Sequence, residues 1–358
     1  MHLPTFKNNV SVNDRRLIGG PATQALLPLK YKWLYATYKK ARLNFWLPEE
    51  VGIGRDKLDY KELPDNVKHQ YDWIFSMLTT MDMVVTEAID VSIMRHATAP
   101  ELRQWLALQG QQEAIHTDTY TLLADEIGLD PDEVFGRYLQ EETLYNKIAE
   151  AGKYAKWLDE IEDISKPGEL EKFLLAYVFF ALVLEGNWFY LGLSAGSYSN
   201  RFYQKMNGTA DQFSYIRRDE NLHYSVGLTV ILDIIKENPQ LDMAYLNEGI
   251  LNIAARGIKL EEAFARETYR DLIGLSADDY IEQCKFQMKT NLRRLNLAHP
   301  DFESAKVALP WLSEMVDLNK ETSLFERRVM EYQLAADLFS NFDAQEHDWV
   351  DPLEGLKK

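Results

Sequence analysis

Two copies of one short pattern, Glu113-Ala-Ile-His116 and Glu220-Asn-Leu-His223, each set a carboxylate and an imidazole three residues apart. Residues three apart on a helix share a face, so each copy can aim both groups at one point. With 30 glutamates and 7 histidines in 358 residues, about 0.6 copies are expected by chance, so one copy would carry little weight and two in similar surroundings carry more. Two further acids sit in apolar stretches. Asp82 lies 31 residues before Glu113, and Glu185 lies 35 before Glu220. Glu185 ends the apolar run from Phe173 to Leu184, where a carboxylate is costly to bury unless it is paired or binds metal. Asp82 has the better spacing, but Glu87 and Asp90 on the same stretch could face inward instead. Four carboxylates and two imidazoles suit iron or manganese better than a thiolate-rich zinc centre. Their formal charge of −4 balances two divalent ions, and shared carboxylates would hold those ions roughly 3.5–4 Å apart.

Such a site needs helices to carry it, and the pattern supplies them. Residues 31–43 read as a first helix. Pro64, whose fixed φ suits a first turn, opens a long one running to about His96. Pro100 opens the helix of Glu113 and His116, which closes near Gly128, a residue suited to a left-handed cap. Asp130-Pro131-Asp132-Glu133 resembles a capping box and starts the next. A helix buried on all sides carries Glu185 to about Gly196, and another, with Thr209 and Gln212 as its opening signal, carries Glu220 and His223. Two more cover about 243–271 and 277–297. No strand pattern appears. A bundle in which two helices each give Glu-x-x-His and two give a lone acid is the ferritin-like dimetal arrangement. The expected fold is therefore all-α, a ferritin-like helical bundle with additional helices. It divides into an irregular N-terminal arm at 1–30, the helical domain at 31–333 and a mobile tail at 334–358.

Composition narrows the function. With 39 basic and 56 acidic residues the net charge is −17, which repels a phosphate backbone, so nucleic acid is not an expected partner. The single cysteine, Cys284, excludes an internal disulfide framework and suits a reducing cytosol. His2, Pro4 and Lys7 interrupt any signal-peptide core. The run from Phe173 to Leu184 is shorter than the ~20 residues of a membrane span. A cytoplasmic protein without a membrane anchor is expected.

Tyr120 stands one turn after His116 on the same face, and a phenol is readily oxidised beside a high-valent metal. From here the sequence strongly resembles the radical-generating small subunit of aerobic, class I ribonucleotide reductase. The resemblance rests on Tyr31-Lys32-Trp33 through Phe45-Trp46-Leu47-Pro48-Glu49-Glu50, Arg95-His96-Ala97-Thr98-Ala99-Pro100-Glu101 and Glu113-Ala-Ile-His116-Thr117-Asp118-Thr119-Tyr120. It continues in Leu184-Glu185-Gly186-Asn187-Trp188-Phe189-Tyr190, Arg218-Asp219-Glu220-Asn221-Leu222-His223 and Val329-Met330-Glu331-Tyr332-Gln333, in the family's order.

The resemblance implies that Asp82, Glu113, His116, Glu185, Glu220 and His223 bind a dinuclear centre of two irons, two manganese ions or one of each. It implies a tyrosyl radical on Tyr120, or a metal-based one, formed with oxygen or a reduced oxygen species. Phe189, Leu193 and Ile216 fall where the family has an apolar pocket around that tyrosine. Asp219, Trp46 and Tyr332 match a relay to a separate large subunit, where ribonucleotides are reduced. The implied partners are that subunit, a second copy of this chain and a flavodoxin-like activator. Trp349, Leu353 and Leu356 are candidate apolar anchors in the tail, although the chain ends Gly355-Leu356-Lys357-Lys358 without an aromatic terminus. Two rival readings are a stand-alone dimetal oxidase, which would need no tail, and a ferritin-like metal store, which would be indifferent to Trp46 and Tyr332.

Overall fold

Pro64 caps the helix that carries Asp82, and the spacing of its apolar residues decides which side faces in. Tyr71, Ile74, Phe75, Leu78, Asp82 and Val85 recur at three- and four-residue steps and are all buried, so Asp82 occupies a position that periodicity reserves for the core. The same logic builds the other helices of this computed structural model, which describes residues 10–21 and 23–312.

In chain order these are α1 (Lys32–Arg42), α2 (Asp56–Glu62), α3 (Asp65–Glu87), a π-helical stretch (Ala88–Ile93), α4 (Met94–His96), α5 (Pro100–Ile127), α6 (Pro131–Gly136) and α7 (Glu142–Asp159). Then come α8 (Glu169–Val178), a second π-helical stretch (Phe179–Phe189), α9 (Tyr190–Gly196), α10 (Tyr198–Tyr203), α11 (Asn207–Glu237), α12 (Met243–Thr268) and α13 (Ala277–Arg294). No strand occurs among the described residues; a single antiparallel bridge joins Ile18 to Ala97. The chain is all-α, as expected.

Four long helical runs surround the interior: α3, α5, the run from α8 through α9, and α11. Among the described residues Glu169–Tyr203 is long and apolar enough to cross a membrane, yet 94% of its most apolar window is buried inside the protein. It is the core helix of the bundle. Its neighbours come close because they present glycine: a Cβ on Gly227 of α11 would stand 2.8 Å from the Ala181 Cβ, and one on Gly257 of α12 would stand 2.6 Å from a Val183 methyl.

Three details differ from the sequence reading. The segment after Asp130 is two helices, because α6 stops at Gly136 and α7 restarts at Glu142. The core helix is π-helical over Phe179–Phe189, a geometry that composition does not signal. The start of α11 is not capped by Thr209. Asp56 of α2 accepts from Gly208 N (3.2 Å), Thr209 N (2.6 Å) and the Thr209 hydroxyl (2.8 Å), so the cap comes from across the fold. Residues 10–21 and 23–30 lie on the body without a long helix, with Leu17 and Ile18 buried and Leu17 bonded to Thr98 and Glu237.

Candidate metal centre

The four runs bring Asp82 (α3), Glu113 and His116 (α5), Glu185 (the π-helical stretch) and Glu220 and His223 (α11) to one buried place. They form two overlapping groups. Asp82, Glu113, His116 and Glu220 each offer a ligand atom within 4.8 Å of the others, and so do Glu113, Glu185, Glu220 and His223. Glu113 and Glu220 belong to both. His116 Nδ1 lies 3.1 Å from Glu220 Oε1 and 3.3 Å from Glu113 Oε2; His223 Nδ1 lies 3.0 Å from Glu113 Oε1 and 3.5 Å from Glu185 Oε2. Glu87 and Asp90, the alternatives to Asp82, are exposed.

Buried polar atoms in proteins are almost always bonded. Here both Asp82 oxygens, both Glu220 oxygens, Glu113 Oε1, Glu185 Oε2 and His223 Nδ1 are buried without a hydrogen-bond partner. So many unsatisfied atoms pointing into one volume fit cations, and the donor set of carboxylate oxygens and imidazole Nδ1 atoms fits a pair of hard or borderline divalent metals.

The electrostatics agree. Burial, reinforced by Glu113 and Glu220, raises Asp82 well above the ordinary carboxylate range, and burial raises Glu185 likewise. Burial alone would push both histidines down. For His116 the carboxylates of Asp219, Glu113 and Glu220 outweigh it, and for His223 those of Glu113, Glu220 and Glu185 do, so both are held well above normal. Against its own burial, Glu113 is drawn down to about 2 by His223 and His116. The crowded carboxylates thus make Asp82, Glu185 and both histidines hold protons more tightly than they would in water.

Its supports differ between the two halves. His223 Nε2 donates to Gln112 Oε1 at 3.0 Å, and Gln109 Nε2 donates to Glu185 Oε1 at 2.8 Å. Beside His116 stands Asp219 instead, with Oδ2 3.7 Å from Nε2, beyond a direct hydrogen bond. Trp46 Nε1 donates to that same Oδ2 at 2.8 Å, and Arg218 holds the other oxygen with two contacts of 3.2 Å. The Trp46 ring stacks on Tyr215 and lies 6.5 Å from the His116 ring.

Tyr120 is fully buried, and its hydroxyl has no hydrogen-bond partner. Burial, then the charge of Asp82, raises its pKa well above that of a free phenol. Phe75 and Phe213 meet its ring edge-on at 6.4 and 6.1 Å. Phe189, Leu193 and Ile216 are buried as well. Tyr332 and the anchors Trp349, Leu353 and Leu356 lie outside the described residues.

The sequence reading passed over Gln109, Gln112, Phe75 and Phe213, although spacing marks them. Gln109 and Gln112 share the stripe of Glu113 and His116, while Phe75 and Phe213 precede Asp82 and Glu220 by seven residues, two turns along the same face.

Known proteins are similar to this chain over most of its length. The family model described as ribonucleotide reductase, small chain, matches residues 24–327. A ribonucleoside-diphosphate reductase subunit beta from Chlamydia pneumoniae is 32% identical over 317 residues, covering 87% of this chain and 91% of the relative. The subunit beta from Treponema pallidum is 29% identical over 335 residues, covering 90% and 92%. Among solved structures, a ribonucleotide reductase R2 subunit from Clostridium botulinum shares the fold with a TM-score of 0.75 at 24% identity, over 84% of this chain and 94% of that one. Because the match extends over nearly the whole helical body, the chain belongs to the ribonucleotide reductase small-chain family.

Proposed function

We propose that the chain is the small subunit of an aerobic ribonucleoside-diphosphate reductase, which forms and stores a one-electron oxidant and passes it to a separate large subunit that makes deoxyribonucleotides. The observation that carries this reading is the pair of ligand groups sharing Glu113 and Glu220 with a buried, unbonded phenol on the same helix. Asp82, Glu113, His116, Glu185, Glu220 and His223 would hold two metals, iron, manganese or one of each. When bound, such a pair supplies oxidising power after reaction with oxygen or a reduced oxygen species.

The protein's own part is to place and protect. Tyr120 is kept a neutral phenol by burial, so an electron leaves it only together with its proton, and Asp82 is the carboxylate that acts on it most strongly. Phe75 and Phe213 close over the ring and exclude water. For the relay, the Trp46 N–H already points at a carboxylate, so an oxidised indole can shed its proton to Asp219. Tyr332 would carry the equivalent onward.

A second copy of the chain and a flavodoxin-like activator complete the proposed partners. Exposed Met83 on α3 and Val91 just beyond it offer an apolar outer face for the dimer.

Electron paramagnetic resonance with metal quantification on aerobically reconstituted protein tests the reading. Two metals per chain and a phenoxyl signal that Tyr120→Phe abolishes without losing metal are expected. An unchanged signal in that variant would move the radical elsewhere, and no nucleotide reduction by the native protein with a large subunit would overturn the assignment.

A further inference from the structure

A site that makes a strong oxidant must steer it; two tryptophans stand against its histidines and a third lies on the helical run that carries Glu185. Trp46 and Trp105 lie against His116 and His223, with ring centroids 6.5 and 6.2 Å apart, and Trp188 follows Glu185 by three residues in the same π-helical stretch. Their indole N–H groups meet different partners. Trp46 donates to the Asp219 carboxylate at 2.8 Å, Trp105 to the Gln109 amide oxygen at 3.1 Å, and Trp188 to the Gly257 carbonyl at 3.3 Å. Only the first can accept a proton readily.

Trp188 differs again, because Lys147 Nζ sits 4.3 Å from the centre of its ring, inside a fully buried pocket shared with Phe264 at 4.2 Å and Met77 sulfur at 2.9 Å. Lys147 is paired with Glu261, which also accepts from the Tyr280 hydroxyl at 2.8 Å; Tyr269 lies 4.4 Å from Tyr280, ring to ring, and Cys284 is buried one turn along α13. Through Lys147 and Glu261 the Trp188 pocket thus connects to an oxidisable group, Tyr280, with a carboxylate already waiting for its proton.

A cation over an aromatic face is attracted to the neutral ring. Removing an electron from that ring turns attraction into repulsion between two positive charges in a dry interior, where such terms are large. We propose that Lys147 guards the radical site by disfavouring oxidation of Trp188, so that the oxidising equivalent goes to Trp46 and not into the Tyr280 cluster. This rests on the radical-storing function proposed above. The suppressed reaction is one electron passing from Trp188 to the oxidised centre, then one from Tyr280 to Trp188 while the Tyr280 proton passes to Glu261. Lys147 touches neither the ligands nor Tyr120 and acts through Trp188, as a positioning residue for charge.

The pair Lys147→Met with Glu261→Gln removes both charges together, so neither is left stranded. Reconstituted with iron and oxygen, this variant should still bind two metals and should show a rise of about tenfold in off-path oxidation. The rise is read as a new tryptophan radical signal and as oxidised Trp188 by mass spectrometry, since this variant lacks the Glu261 carboxylate that would take the Tyr280 proton. Adding Trp188→Phe should abolish the new signal, which a loosened core oxidised at other residues would not do. Glu261→Gln alone keeps the cation and should leave off-path oxidation at or below native. Native levels in the double variant, no rescue by Trp188→Phe, or a rise in Glu261→Gln would each overturn the proposal. The mass readout does not depend on a stored Tyr120 radical, so a native protein lacking that signal would sink the radical-storing function while this guard is still judged by oxidised Trp188.

Discussion

Asp82 and Glu185 hold their protons more tightly than ordinary carboxylates because both are buried among other acids. Metal must displace those protons, so affinity should fall as pH drops through their raised pKa values, with net proton release on binding. Calorimetry of manganese binding in buffers of different ionisation enthalpy checks this, and release that does not vary with pH would contradict it. Folding carries the opposite sign in protein stripped by chelator. Asp82, Glu185, His116 and His223 all have raised folded pKa values, so their contribution is present at low pH and lost as pH rises through those values. Melting temperature of chelated protein should therefore decline as pH rises through those raised values, and metal-loaded protein should not follow it. Gln112 is a neutral support for His223, and Gln112→Leu should weaken metal binding by about 10–100-fold without unfolding the chain. Of the six candidate ligands, Glu113, His116, Glu220 and His223 were legible as a repeated pattern, and Asp82 and Glu185 as acids in apolar stretches. Gln112 was not, since an amide on a helix face is equally at home in solvent.

At the scale of elements, helix identity and order followed from period and punctuation: Pro64 and Pro100 start helices, and Gly128 ends one in the left-handed region with φ of 81°. What periodicity cannot show is a partner supplied from elsewhere in the chain. Asp56 satisfies the first N–H groups of α11, the helix that carries Glu220 and His223, from 150 or more residues away. Asp56→Ala should cost about 2 kcal/mol, the range of a lost cap in a buried setting. Urea unfolding of metal-loaded protein would measure it, and a loss under about 0.5 kcal/mol, the level of an ordinary surface change, would mean the cap is dispensable. The π-helical stretch was equally hidden, since its composition is that of any buried helix; it carries Glu185 and Trp188, both buried.

Across the whole molecule, the bundle sorts charge by depth. Carboxylates that would be intolerable alone are gathered at one point, while Lys147 is paired with Glu261, and Asp219 with Arg218 and Trp46. Net charge and the missing strand pattern indicated a helical protein averse to nucleic acid, but the relation between Trp46 and Trp188 exists only once residues far apart in the chain are packed together. The proposed function depends on two metals binding side by side. Anomalous diffraction from a crystal grown with manganese tests that most directly. Two peaks about 3.5–4 Å apart, each touching Glu113 and Glu220, with Asp82 and His116 on one and Glu185 and His223 on the other, are expected. A single peak, or peaks whose ligands are other residues, would contradict it.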